Sequence, residues 1–147
     1  MLMLTAALLA SAASEPPHAT RKTVMAWVSA PRAEWQAAAD FVLTGAAAGA
    51  VNAISQNGVW GLSANSTYAR LTVDADGVAE HKRLWQSDAA KAAGIRTYPI
   101  IGFGGNVAGL RTLWQPDNQE RFISELVAQV SAAGVDGVNI DFEPTTD

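Results

Sequence analysis

Residues 135–144 read VDGVNIDFEP, and the fold turns on how they are read. Val138, Ile140 and Phe142 alternate with Asn139, Asp141 and Glu143. Successive side chains on a strand point to opposite faces, so a strand here has one apolar face and one acidic, polar face. Two carboxylates and an amide on one face repel each other unless that face gains something. Only 16% of the 147 residues are charged, so the concentration is informative. Pro144 pushes Glu143 toward an extended conformation and is poorly suited to continuing a central ladder. Glu143 therefore belongs at the strand's C-terminal mouth.

Upstream of this strand the chain repeats a phrase. Residues 47–51 read AAGAV, residues 92–95 read AAGI and residues 132–135 read AAGV. Each follows a helix-like stretch and precedes a strand-like one. Gly49 to Gly94 is 45 residues and Gly94 to Gly134 is 40. A glycine just past a helix end takes the left-handed cap conformation cheaply, and the chain then turns into a strand. Helix, glycine, strand at that period predicts successive βα units building a parallel sheet.

Coarse placement follows. Strands are expected near residues 23–29, 51–55 and 95–102, before the one at 135–144. A first helix runs from Pro31 to about Leu43, and a second covers roughly residues 80–93. Asn57-Gly58 and Asp76-Gly77 are turn signals, so residues 59–73 read as an irregular or hairpin insertion. Asp117 with Glu120 makes a capping-box-like start for the last helix. Its apolar face is Phe122, Ile123, Leu126, Val127 and Val130, and Gly134 closes it. Four such units predict a partial TIM (β/α)8 barrel, with parallel strands and outer helices. In that fold the C-terminal strand ends carry the chemistry. The polar face of Asn139, Asp141 and Glu143 would then look into the barrel.

Composition narrows the function. The chain is 49% hydrophobic, enough for a core, and its net charge is −4 with no basic run, which argues against nucleic acid. No cysteine is present, so disulfides and thiolate metal sites are excluded. Residues 1–13, MLMLTAALLASAA, are too short for a ~20-residue membrane span. With small residues at positions 10–13 they resemble a secretory signal, although no positively charged segment precedes them. Residues 14–21 read as a linker, and residues 22–147 as the folded unit. Localisation is accordingly expected to be secreted or lysosomal.

The run Asp136, Gly137, Val138, Asn139, Ile140, Asp141, Phe142, Glu143 is similar to the strand-four signature of glycoside hydrolase family 18, the chitinases. With Asn139 rather than Asp it looks most like the di-N-acetylchitobiase-related branch. Residues 95–105, IRTYPIIGFGG, are similar to the family's third strand, which usually ends S-x-G-G. Gly102 stands where that serine would be, so the serine's polar support is in doubt.

The resemblance implies hydrolysis of β-1,4-linked N-acetylglucosamine in chitin, chitobiose or an N-glycan core. It implies a retaining, substrate-assisted mechanism with no cofactor. Glu143 would be the general acid, a role that needs a carboxyl with a raised pKa. Asp141, roughly 7 Å back along the strand at ~3.3 Å per residue, would orient the acetamido group and stabilise its positive charge. The family departs from the usual enzyme-nucleophile scheme. Asn139 would lower the repulsion on Asp141, and Asp136, on the opposite face, reads as structural.

Other readings remain beside this one. Trp27, Trp60, Trp85 and Trp114 are candidate sugar platforms, of which Trp27, at the end of the first strand, is the expected cleft residue. Gly104 and Gly105 allow a sugar close to the backbone, or simply make a tight turn. An EF-hand lacks its spacing and central glycine here, and an enolase-like Mg²⁺ site lacks further acidic ligands. A barrel takes ~250 residues, and this chain ends four residues after Glu143. It therefore reads as the N-terminal half of a truncated hydrolase, inactive alone. A non-catalytic chitin-binding lectin is the alternative, though such relatives often lose the acid Glu, and a half-barrel assembly module is a more distant third.

Overall fold

A computed structural model describes residues 22–145. The expected signal and linker, residues 1–21, lie outside the described residues. Strand β1 (Met25–Val28) leads through a 3₁₀ turn (Arg32–Glu34) into α1 (Trp35–Leu43). Strands β2 (Ala53–Gln56), β3 (Trp60–Ala64) and β4 (Ala69–Val73) follow, then helices α2 (Ala75–Trp85) and α3 (Asp88–Ala92). The chain continues through β5 (Arg96–Thr97), β6 (Ile100–Phe103), α4 (Val107–Leu113), α5 (Pro116–Ala133) and β7 (Asn139–Phe142).

These strands form two sheets. One is parallel, in the order β1-β2-β5; the other is mixed, in the order β4-β3-β6-β7. This overturns the partial TIM (β/α)8 barrel of parallel strands with outer helices: the chain is a small mixed-sheet domain with five helices among the described residues. The cause is the stretch at 59–73. It forms an antiparallel hairpin, with Leu62 opposite Leu71. The hairpin becomes integral to the second sheet, because β3 also pairs in parallel with β6, Trp60 beside Ile101 and Gly61 beside Gly102. Pro99, which has no N–H to give a ladder, lies between β5 and β6 where the chain passes from one sheet to the other. Helices α4 and α5 pack on this hairpin, and α1 packs on α2.

Local chemistry explains most boundaries. Gly49, Gly94 and Gly134 all have positive φ, 75°, 67° and 65°; Gly94 and Gly134 close α3 and α5, whereas Gly49 lies in a turn six residues past α1. The second expected helix begins earlier and divides. Asp74 caps α2 by accepting from the Gly77 N–H at 2.9 Å, so Asp76-Gly77 is a first helical turn rather than a loop. Ser87 then caps α3. Helix α5 starts with Pro116 in its first turn and no side-chain cap, so Asp117 sits inside the helix, where its charge suits the dipole.

The core joins Trp35, Val42, Ile54, Leu62, Leu84, Trp85, Ile101, Phe103, Leu110 and Phe122. The apolar stripe of α5 is only half used. Phe122 is buried and Leu126 and Val130 pack on the core, whereas Ile123 and Val127 are exposed. Among the described residues no helix is long and apolar enough to cross a membrane.

Candidate functional site

Strand β7 pairs in parallel with β6, so that Asn139 lies beside Ile100, Asp141 beside Gly102 and Phe142 beside Phe103. The ladder continues past the strand: the Glu143 N–H donates to the Phe103 carbonyl at 2.9 Å, and the Thr145 N–H to the Gly105 carbonyl at 2.9 Å. Glu143 is thereby held at the C-terminal end of the sheet. On the other face Phe142 meets Phe103 edge-on, ring centroids 6.1 Å apart. Ile140, on the same face, is 55% exposed.

Asp141 and Glu143 open on one cleft of about 360 Å³, shared with Asn57, Trp60, Gly102, Phe103 and Gly104. Asp141 is half-buried and Glu143 exposed. The apolar walls expected around Glu143 are therefore not built by the described residues. A side-chain-free lane forms the floor beside Asp141. Gly61 and Gly102 are in register on neighbouring strands, with Thr72 beyond Gly61 and Asp141 beyond Gly102. A Cβ at Gly102 would meet nothing nearer than Asn57 Oδ1, at 3.8 Å. The missing serine leaves open space, filled by no other side chain.

The remaining expected residues separate. Gly104 lines the cleft, and a Cβ there would meet nothing within 4 Å. Gly105 is packed instead: a Cβ would fall 2.5 Å from the Phe103 ring. Asn139 sits deeper, its Nδ2 donating to Ser55 Oγ at 2.9 Å. Asp136 is at the other end of the strand, where Oδ2 accepts from the Thr97 N–H at 2.8 Å and joins the approach to β7 to β5. Trp27 is 55% exposed and does not line the cleft. Trp60 and Phe103 border it, but both are buried in the core, and the Phe103 ring packs on Phe142 on the opposite face.

Two features escaped the sequence reading. Asn57 reads there only as half of an Asn-Gly turn, yet it enters the cleft. Beneath the β2–α2 interface lies a buried polar cluster: Gln56 Oε1 accepts from Trp85 Nε1 at 2.5 Å and from His81 Nδ1 at 2.9 Å. Gln56 Nε2 and His81 Nε2 are buried without a hydrogen-bond partner among the described residues. Burial holds His81 neutral by pushing its pKa down from 6.5 to about 4. Among the described residues no group of three or more His, Cys, Asp or Glu could hold a metal ion.

No family model matches the chain, and neither does any curated protein. A solved structure does: the C-terminal domain of a "putative chitinase" from Desulfitobacterium hafniense DCB-2, at 26% identity and a TM-score of 0.61. The match covers 83% of this chain and 34% of that one, so the chain spans about a third of the domain it resembles. The likeness reaches a chitinase-related fold.

Proposed function

We propose that the chain carries the acidic half of a glycosidase site for β-1,4-linked N-acetylglucosamine, with Glu143 as general acid and Asp141 as its partner. The observation that carries the reading is that both carboxylates, two residues apart on β7, open on one cleft with Trp60 and Phe103. Two carboxylates beside bare backbone at Gly102 and Gly104 suit a sugar, whose hydroxyls can donate to them. The chitinase-related neighbour supports the same substrate class.

In the proposed reaction the substrate's acetamido oxygen bonds to the anomeric carbon as the glycosidic C–O bond breaks. Glu143 gives its proton to the departing oxygen, and Asp141 stabilises the positive oxazolinium-like ring. Water then attacks the same carbon, the Glu143 carboxylate takes its proton, and the acetamido group is released with configuration retained.

Exposure of Glu143 separates binding from cleavage. A general acid works best where water is excluded, and here it is not. The 147-residue chain alone is expected to bind tri-N-acetylchitotriose without hydrolysing it, which also keeps the lectin reading in play for this chain. Calorimetry with wild type and Asp141→Ala, alongside a product assay, tests both parts. Binding that falls at least ten-fold in Asp141→Ala supports the site. Unchanged binding places the sugar elsewhere. Turnover above blank that disappears in Glu143→Gln would show that the exposed acid suffices.

A further inference from the structure

We infer that the site takes a chain of sugars rather than a single one, with the unit beside the Asp141–Glu143 pair followed by another that rests on Gly61 against Thr72; the claim rests on the glycosidase-site reading above. Thr72, Gly61, Gly102 and Asp141 form one row across β4, β3, β6 and β7. Residues side by side in register project from the same face of a sheet, so the whole row shares the face of Asp141. It spans three strand intervals, or ~14 Å at ~4.8 Å each. Only its two ends carry side chains.

A second hollow, of about 290 Å³, has Gly61 and Thr72 in its lining. Trp60 borders both this hollow and the 360 Å³ cleft, and the two adjoin where Gly61 lies beside Gly102. Small-ligand sites begin at ~300 Å³, so each hollow suits about one sugar unit. Packing asks for no glycine at position 102, since a Cβ there would meet nothing nearer than 3.8 Å. A glycine inside a strand weakens it and marks a place where a ligand comes close to backbone. Gly61 is bare too, and Thr72 Oγ1 leans over it, 2.9 Å from where its Cβ would stand.

The two ends of the row offer different chemistry. Asp141 closes one end with a carboxylate, and Thr72 closes the other with an exposed hydroxyl that can both donate and accept. A pyranose lying on bare backbone turns its hydroxyls and acyl group sideways, so the unit on Gly61 presents either kind of group to Thr72. A single sugar beside Asp141 does not reach across the row. An oligosaccharide, or the interior of a polymer, uses both ends at once.

The test titrates tri-N-acetylchitotriose into the ¹⁵N-labelled wild type, Thr72→Leu and Thr72→Val, followed by amide NMR. Leucine fills the Gly61 end with a side chain that cannot hydrogen-bond, while valine keeps the branching and loses the hydroxyl. Thr72 is exposed on an edge strand, so the melting temperature should hold in both. In wild type the Gly61 and Thr72 shifts are expected to saturate together with those of Gly102 and Asp141. Thr72→Leu should weaken binding about ten-fold and Thr72→Val about three-fold. Unchanged affinity in Thr72→Leu, or wild-type shifts that stop at Gly102, overturns the inference while leaving the site reading intact. If leucine lowers the melting temperature, Thr72→Val decides, and unchanged affinity there overturns the inference too. No saturable shift in wild type overturns the site reading as well.

Discussion

Asn139 on β7 donates its side-chain N–H to the buried hydroxyl of Ser55 on β2 at 2.9 Å, and this bond ties the two sheets together. Strand β2 is the middle of the parallel sheet and β7 is an edge of the mixed one. Ser55 is fully buried, so its hydroxyl has no water to fall back on. Asn139→Ala is expected to lower unfolding free energy by about 1–3 kcal/mol, the cost of an orphaned buried hydroxyl. Urea unfolding checks it, and an unchanged midpoint would show that the sheets are held by other contacts.

His81 makes stability depend on pH. It is 1% exposed and its folded pKa of about 4 lies below the ordinary 6.5. Between those values the unfolded chain binds a proton that the folded chain refuses. The contribution is fully present above pH 6.5 and is lost as pH falls toward 4, by ~3 kcal/mol at most. In His81→Gln the decline between pH 6.5 and 4.5 should flatten. An unaltered slope would mean that His81 takes its proton without unfolding.

Two glycines on the same strand end should respond in opposite ways. Gly102→Ser enters open space, with Asn57 Oδ1 as nearest neighbour at 3.8 Å, and is expected to leave stability within about 0.5 kcal/mol of wild type. Gly105→Ala drives a methyl to 2.5 Å from the Phe103 ring and should cost about 1–3 kcal/mol. Thermal melts of the two variants would separate them.

Helix α5 offers a similar contrast. Phe122→Ala removes a buried ring and should cost about 3–5 kcal/mol. Ile123→Lys and Val127→Lys alter exposed positions, so each should change stability by less than about 0.5 kcal/mol. A large loss in either lysine variant would show that this stripe is covered in solution.

The parts of this fold that were legible in the sequence are those fixed by local chemistry. The three AAG phrases turn at left-handed glycines because no side chain opposes that conformation. The alternation of 138–143 put Asp141 and Glu143 together, since the period of a strand requires it. Pairing across distance was not legible. Nothing local in WGLSA says that Trp60 and Gly61 will lie beside Ile101 and Gly102, about forty residues on, and that contact turned a parallel expectation into a mixed sheet. The Gln56–His81–Trp85 cluster draws its polar partners from β2 and α2, and His81 read alone gives no hint of it.

The central claim is that N-acetylglucosamine units sit in the cleft beside the Asp141–Glu143 pair. Amide NMR of the ¹⁵N-labelled chain, titrated with tri-N-acetylchitotriose, tests it most directly. Saturable shifts should gather at Asn57, Trp60, Gly102, Phe103, Gly104, Asp141 and Glu143. No saturable shifts, or shifts gathered instead around the distant hollow of Tyr68, Arg70 and Arg121, would contradict it.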